Sequence, residues 1–162
     1  MKLSNCNRCS LCKNRLHLSY PKGRMPANVM IIVSREPFFD VHIAIEQEFI
    51  RKLNYELKHD WYKTYVVKCA TTISSNITYD EIKKCRIWLK SEIDKVKPYL
   101  IILLGNISAT AVLGNKYKGL VQNIFYCKND RKYFIGESIF GDSEKMERNL
   151  KVLSKFIQKY YR

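Results

Sequence analysis

Lys97-Pro98-Tyr99-Leu100-Ile101-Ile102-Leu103-Leu104-Gly105-Asn106-Ile107-Ser108-Ala109 is the segment that decides the fold. Pro98 has no amide hydrogen to give a helix and marks a break. Tyr99–Leu104 then carries no charged or strongly polar residue, so a strand built from it needs cover on both faces. Gly105-Asn106 turns the chain, and Ile107–Leu113 has the small and apolar residues of a short helix. A doubly buried strand that runs straight into a helix belongs to a parallel α/β sheet.

The same grammar repeats on either side. Val29-Met30-Ile31-Ile32-Val33 is a second wholly apolar run, broken by Ser34-Arg35-Glu36-Pro37. Over residues 42–58, Ile45, Phe49, Ile50, Leu53 and Leu57 recur at helical spacing. Residues 62–68 read as a strand centred on Tyr65, Val66 and Val67, with a polar loop from Thr71 to Asn76 behind it. Thr78 precedes Glu81 by three positions, a capping-box signature. The helix it opens carries Ile82, Cys85, Leu89, Ile93 and Val96 on one face. Residues 123–127 and 132–135 suit two short strands around Lys128-Asn129-Asp130. Met146, Leu150, Leu153, Ile157 and Tyr160 define a last amphipathic helix whose other face is basic. The expected fold is α/β: one three-layer domain over residues 1–162, a central, mostly parallel sheet flanked by helices, with residues 1–26 as a cysteine-bearing arm. Ligands of such sheets bind beyond the carboxyl ends of the strands. Here those ends are Ser34–Asp40, Lys68–Asn76 and Gly105–Ser108.

Composition narrows the function. At 162 residues, 46% hydrophobic and 27% charged, the chain has the length and make-up of a folded domain. No apolar run approaches the ~20 residues of a membrane span, and the N-terminus has no signal-peptide core. A cytoplasmic protein with no membrane partner is expected. There are 29 Lys and Arg against 15 Asp and Glu, a net charge of +14, which attracts polyanions. DNA is the expected partner.

The cysteines are Cys6, Cys9, Cys12, Cys69, Cys85 and Cys127. Without a secretory signal, metal binding gains weight over disulfides. Cys6-Asn7-Arg8-Cys9 is a C-x-x-C pair, and Cys12 repeats its spacing. Such a pair needs thiolate partners from elsewhere. Cys69, at a strand end, and Cys85, on the inward face of a helix, are the candidates.

Five elements occur in order over roughly residues 3–114. They are Cys6-Asn7-Arg8-Cys9-Ser10-Leu11 with Arg15 behind it, Val66-Val67-Lys68-Cys69, Glu81-Ile82-Lys83-Lys84-Cys85, Lys97-Pro98, and Leu104-Gly105-Asn106-Ile107-Ser108-Ala109. In that order and spacing they resemble the iron–sulfur uracil-DNA glycosylase family, within the wider uracil-DNA glycosylase superfamily. The resemblance implies a uracil-DNA-glycosylase-like fold and a [4Fe–4S] cluster held by Cys6, Cys9, Cys69 and Cys85, with Cys12 and Cys127 to spare. Four thiolates also suit tetrahedral zinc, which stays open as the alternative.

The catalytic positions depart from the family pattern. Its Gly-Glu-Ala-Pro-Gly motif meets Ser34-Arg35-Glu36-Pro37-Phe38, which keeps only the proline. The Asn that reads uracil just before Val-Val-Lys-Cys is replaced by Tyr65, and a phenol lacks an amide's paired donor and acceptor. The late His-Pro motif has no counterpart, since His17, His42 and His59 all come too early. No catalytic residue is carried over; Glu36 and Asp40 are the only carboxylates placed to position water.

The expected function is a non-catalytic DNA-binding accessory protein of replication or repair. By analogy with superfamily members reused at replication forks, it would partner a DNA polymerase and help engage single-stranded template. The alternative is an active or altered-specificity uracil-DNA glycosylase. Phosphate contacts are expected from the turn Gly105, Asn106 and Ser108 and from Lys68, Lys83, Lys84, Lys116 and Lys118. Phe38, Phe39 and Tyr65 are placed to stack on an unpaired base. If charge drives DNA binding, affinity for a short oligonucleotide falls at least ~10-fold between ~50 and ~200 mM salt, because counterions are released on association. A fluorescence-anisotropy titration at both salt concentrations checks this.

Overall fold

Val29–Val33 (β3) and Leu100–Leu104 (β6) lie side by side, parallel, in register from the Val29–Leu100 pair to the Val33–Leu104 pair. Side chains alternate along a strand. Met30, Ile32, Ile101 and Leu103 therefore enter one apolar layer, while Val29, Ile31, Val33, Leu100, Ile102 and Leu104 enter the other. That two-sided burial is why both runs lack a polar position.

The computed structural model describes residues 3–72, 76–117 and 123–160. Around the central pair, Trp61–Tyr65 (β4) joins β3 in parallel and Arg131–Gly136 (β8) joins β6 in parallel. Two antiparallel strands close the edges: Lys22–Gly23 (β2) on β4 and Ile124–Lys128 (β7) on β8. The order of this six-stranded sheet is β2-β4-β3-β6-β8-β7.

Helices Asp40–Leu57 (α1) and Ser143–Tyr160 (α4) cover one face through Phe49, Leu53, Leu57, Met146, Leu150, Leu153 and Ile157. Tyr79–Val96 (α2) and Asn106–Leu113 (α3) cover the other, through Ile82, Cys85, Leu89, Val96, Ala109 and Ala111. This is the expected α/β architecture. Helix boundaries follow local chemistry. Thr78 caps α2 with a reciprocal Glu81 bond, as its spacing predicts. Helices α1 and α2 end on left-handed Lys58 and Lys97, whose N–H groups bond Asn54 and Ile93 carbonyls. Among the described residues, no helix is long and apolar enough to cross a membrane.

One expectation is corrected. The strand expected over 62–68 ends at Tyr65. Val66 and Val67 still donate to Val33 and Ser34 carbonyls, but Cys69–Ala70 (β5) turns away to form its own two-stranded ladder with His17–Leu18 (β1). The cysteine-bearing arm is ordered by these attachments. It forms 3-10 turns at Leu3–Asn5 and Ser10–Asn14, then β1, then β2. Gly23 sits at φ +107°, and a Cβ there would lie 2.3 Å from the Trp61 carbonyl oxygen. Only glycine lets the arm lie this close to β4. The loop expected over Thr71–Asn76 lies partly outside the described residues.

Asn149 of α4 is fully buried and ties the helix to the end of β8. Its Oδ1 accepts from the Glu137 N–H (3.0 Å) and its Nδ2 donates to the Glu137 carbonyl (2.9 Å). Removing the amide strands two backbone groups. Asn149→Ala is expected to cost about 2–3 kcal/mol, read as a lower urea midpoint with an unchanged slope.

Candidate functional site

A cavity of about 280 Å³ opens at the carboxyl end of the sheet. Arg35, Glu36 and Phe38 reach it from the end of β3, and Thr71 and Asn76 from the segment between β5 and α2. Ser138 and Phe140 enter from the chain that leaves β8, and His42 from the first turn of α1. It is a mixed site: aromatic walls, one carboxylate, one guanidinium, one imidazole and one amide.

His42 arrives through tertiary structure alone. Its ring packs edge-on to Phe39 and tilted against Phe140, with both centroids 5.6 Å away. Gly141, at φ +68°, makes room for it, since a Cβ there would stand 2.9 Å from His42 Nε2. A second histidine reaches the same loop: His17 Nε2 lies 3.1 Å from Glu36 Oε2, joining β1 to the end of β3. The early position of these histidines in the chain thus does not keep them from the strand ends. Arg35 and Asn76 fall in the strand-end segments marked from the sequence, while Ser138 and Phe140 are cavity residues that the sequence did not single out.

The expected stacking residues divide. Phe38 and Phe39 are half exposed at the cavity rim, their rings edge-to-face at 5.6 Å. Tyr65 is corrected: it is 1% exposed and cannot meet a base face. Its hydroxyl donates to Glu46 Oε1 at 3.2 Å and accepts from Lys63 Nζ at 2.7 Å, while Lys63 also bonds Glu46. Burial, with the Glu46 carboxylate next, pushes the Tyr65 phenol pKa up, so it stays a neutral hydroxyl. Of the two carboxylates, Glu36 lines the cavity; Asp40 is the exposed first residue of α1.

The expected phosphate contacts also divide. Lys68 is corrected, being 1% exposed, with its ammonium bonded to Thr64 Oγ1 and, at 2.7 Å, to Glu92. Desolvation lowers its pKa against the pull of Glu92. Ser108 is corrected as a side-chain contact, because its buried hydroxyl donates to the Leu104 carbonyl at 3.0 Å. The Gly105 N–H is committed to Gly136. Lys83, Lys84, Asn106 and Lys116 are exposed. Lys84 pairs with Asp80 at 2.8 Å, and Lys116 lies over the Tyr117 ring at 5.1 Å. Lys118 lies outside the described residues.

The thiols converge where the arm meets the sheet. The β1–β5 ladder sets Leu18 opposite Cys69, and Arg15 donates to the Cys6 carbonyl (3.1 Å) and toward Cys69 Sγ (3.9 Å). The Lys68 N–H points at Cys85 Sγ, 3.4 Å away. Cys9 feels Cys6 and Cys12, Cys69 feels Cys9 and Cys6, and Cys85 feels Cys9 and Cys69. Cys6, Cys9, Cys69 and Cys85 are thus neighbours at this junction, Cys12 lies beside Cys9, and Cys127 is exposed on β7. All six are free thiols. Burial pushes the Cys9, Cys69 and Cys85 pKa values up, that of Cys85 to about 11. Among the described residues, no group of three Cys, His, Asp or Glu side chains is arranged to hold a single metal ion.

Residues 23–154 match the family model described as the uracil DNA glycosylase superfamily. The chain is 27% identical to a type-4 uracil-DNA glycosylase of Saccharolobus solfataricus, over 83% of this chain and 68% of that protein. It is 29% identical to one from Pyrobaculum aerophilum, over 68% of this chain and 61% of that protein. It is 22% identical to one from Archaeoglobus fulgidus, over 67% and 58%. The chain thus spans between 58% and 68% of the length of these relatives. With a family match across most of its length, running from β2 into α4, this protein belongs to the uracil DNA glycosylase superfamily and is distantly similar to its type-4 members.

Proposed function

We propose that this protein binds DNA and hydrolyses the glycosidic bond of a base extruded into the strand-end cavity, as an altered-specificity relative of the uracil-DNA glycosylases. The observation that carries this reading is the assembly in one cavity of Glu36, His42, Arg35 and Asn76 beneath the half-exposed Phe38 and Phe39. Enzymes that act on a base take it out of the stack and read it by its edge. Phe38 and Phe39 supply ring faces, and Asn76 supplies the amide that the Tyr65 position lacks. Glu36, steadied by His17, orients water toward the anomeric carbon. The water oxygen bonds to that carbon, the carbon–nitrogen bond breaks, and the base leaves with the bonding pair. Glu36 takes the proton, while His42 and Arg35 stabilise the charge on the departing base.

A second reading keeps the DNA and gives up the chemistry: an accessory protein of replication or repair that partners a polymerase. Two observations favour it. Glu36 is already engaged by His17, and buried Tyr65 fills the place of the family's reading amide. Excision assays on single- and double-stranded oligonucleotides carrying uracil or another deaminated base separate the two. The first reading expects cleavable abasic sites, with turnover lowered ~10²–10⁴-fold by Glu36→Gln. DNA binding without excision of any such base supports the second.

On this reading Cys6, Cys9, Cys69 and Cys85 would hold a [4Fe–4S] cluster. The donor set is right, and the Arg15 guanidinium and Lys68 N–H are aimed at sulfur to balance thiolate charge. Tetrahedral zinc accepts the same four thiolates and stays the alternative. When bound, the cluster would supply a structural staple between the arm, β5 and α2. Protein purified without oxygen is expected to be brown, with absorbance near ~400 nm and ~4 iron atoms per chain, and Cys69→Ser to lose both the colour and the iron. Stoichiometric zinc without iron would reassign the site.

A further inference from the structure

Phe134, fully buried in β8, begins a row of four aromatic rings that ends in solvent. Its centroid lies 5.1 Å from that of Phe125, its cross-strand partner on β7. Phe125 stacks on Phe156 of α4 at 4.2 Å, with the planes 21° apart, and Phe156 meets Tyr160 at 4.8 Å. Exposure grows along the row, to 37% at Phe125 and 51% at Tyr160. Tyr99, just ahead of β6, is a fifth exposed ring beside it. Lys132 pairs in register with Leu100, and Leu100 with Val29. The surface therefore lies at the amino ends of the strands, at the other end of the sheet from the strand-end cavity.

Cations stand among these rings. The Lys132 ammonium is 4.4 Å from the Tyr160 centroid, 5.1 Å from that of Phe156 and 5.4 Å from that of Tyr99. Lys159 is 5.1 Å from the Tyr160 centroid. Lys128 joins Tyr99, Lys132 and Asp130 around a hollow at the β7–β8 turn. Ring faces attract an ammonium group but leave its charge in place. Among the described residues, the lysines in salt bridges are Lys52, Lys63, Lys68, Lys84 and Lys145, and none of these three.

The complement of such a surface carries negative charge and a row of flat faces. A second copy of this chain brings another +14 against it. An acidic peptide meets the lysines but brings no row of flat faces, and a duplex keeps its base faces stacked inside. A single nucleic-acid strand supplies both, phosphates for the lysines and bases for the rings. We propose that this ladder is a second DNA-contact surface, which holds single-stranded DNA with its bases against Tyr99, Phe125 and Tyr160 and its phosphates on Lys128, Lys132 and Lys159. It does not rest on the excision chemistry proposed above.

Fluorescence anisotropy of the full chain with a labelled oligodeoxythymidylate of ~10 nucleotides tests it. That strand holds no deaminated base, so excision plays no part. Saturable binding is expected. Tyr160→Ala and, on a different element, Tyr99→Ala should each weaken it at least ~5-fold with an unchanged urea midpoint. Neither should alter affinity for inorganic polyphosphate, which has the charge without the bases, whereas Lys132→Gln should weaken both ligands. Photo-crosslinks from 4-thiothymidine in the strand are expected on Phe125, Phe156 or Tyr160. The proposal is overturned if the strand does not saturate the protein, if both tyrosine variants bind it as well as the unaltered chain, if they weaken polyphosphate as much, or if crosslinks fall only on Phe38 and Phe39.

Discussion

The rest of the structure depends on the parallel pairing of two strands that have no polar face. β3 and β6 run in register through the centre of the sheet, and every one of their side chains is buried. Such a pair is stable only with a layer on each side, which is what α1 and α4, and α2 and α3, supply. It also settles where chemistry can occur. Polar groups have no place along the strands, so they gather at the carboxyl ends, where the chain leaves the sheet and backbone groups are free to turn.

The N-terminal arm has two attachments and each has a consequence. β1 pairs with β5, which brings Cys6, Cys9 and Arg15 beside Cys69 and Cys85. β2 pairs with the edge of β4, which raises Lys22 over the buried Lys63. His17 then reaches from the first of these attachments to Glu36 at the strand-end cavity. The thiol pocket and the cavity are therefore joined through one short strand, and the order of the arm bears directly on the position of the cavity's carboxylate.

Charge in this protein works in two ways. The surplus of Lys and Arg that gives +14 is mostly displayed outward, on the surfaces of α2 and α4 and on the loops. Two lysines are turned inward and neutralised, Lys63 by Glu46 and Lys68 by Glu92. A buried ion pair adds little net stability against well-packed apolar residues, and breaking one by removing a single partner is costly. Neither lysine adds to the outward field that gathers a polyanion. In the sequence nothing separates Lys68 from Lys83 or Lys84, because burial is a property of the neighbours and not of the residue.

The sequence by itself determined the layers. Wholly apolar runs, helical periodicity and the Thr78–Glu81 cap are local signals, and each strand or helix they mark lies within a few residues of its expected bounds. Order and spacing also held the family resemblance across residues 3–114. Tertiary structure alone decided which side chains share a space. Tyr65 reads as a ring placed to stack on an unpaired base, yet it is sealed beneath α1 by Glu46 and Lys63. His42 reads as too early, yet it meets Phe140 across the cavity. The reason is physical: periodicity reports the face a residue occupies on its own element, whereas a site is made where elements distant in the chain converge, and that depends on how the layers close over one another.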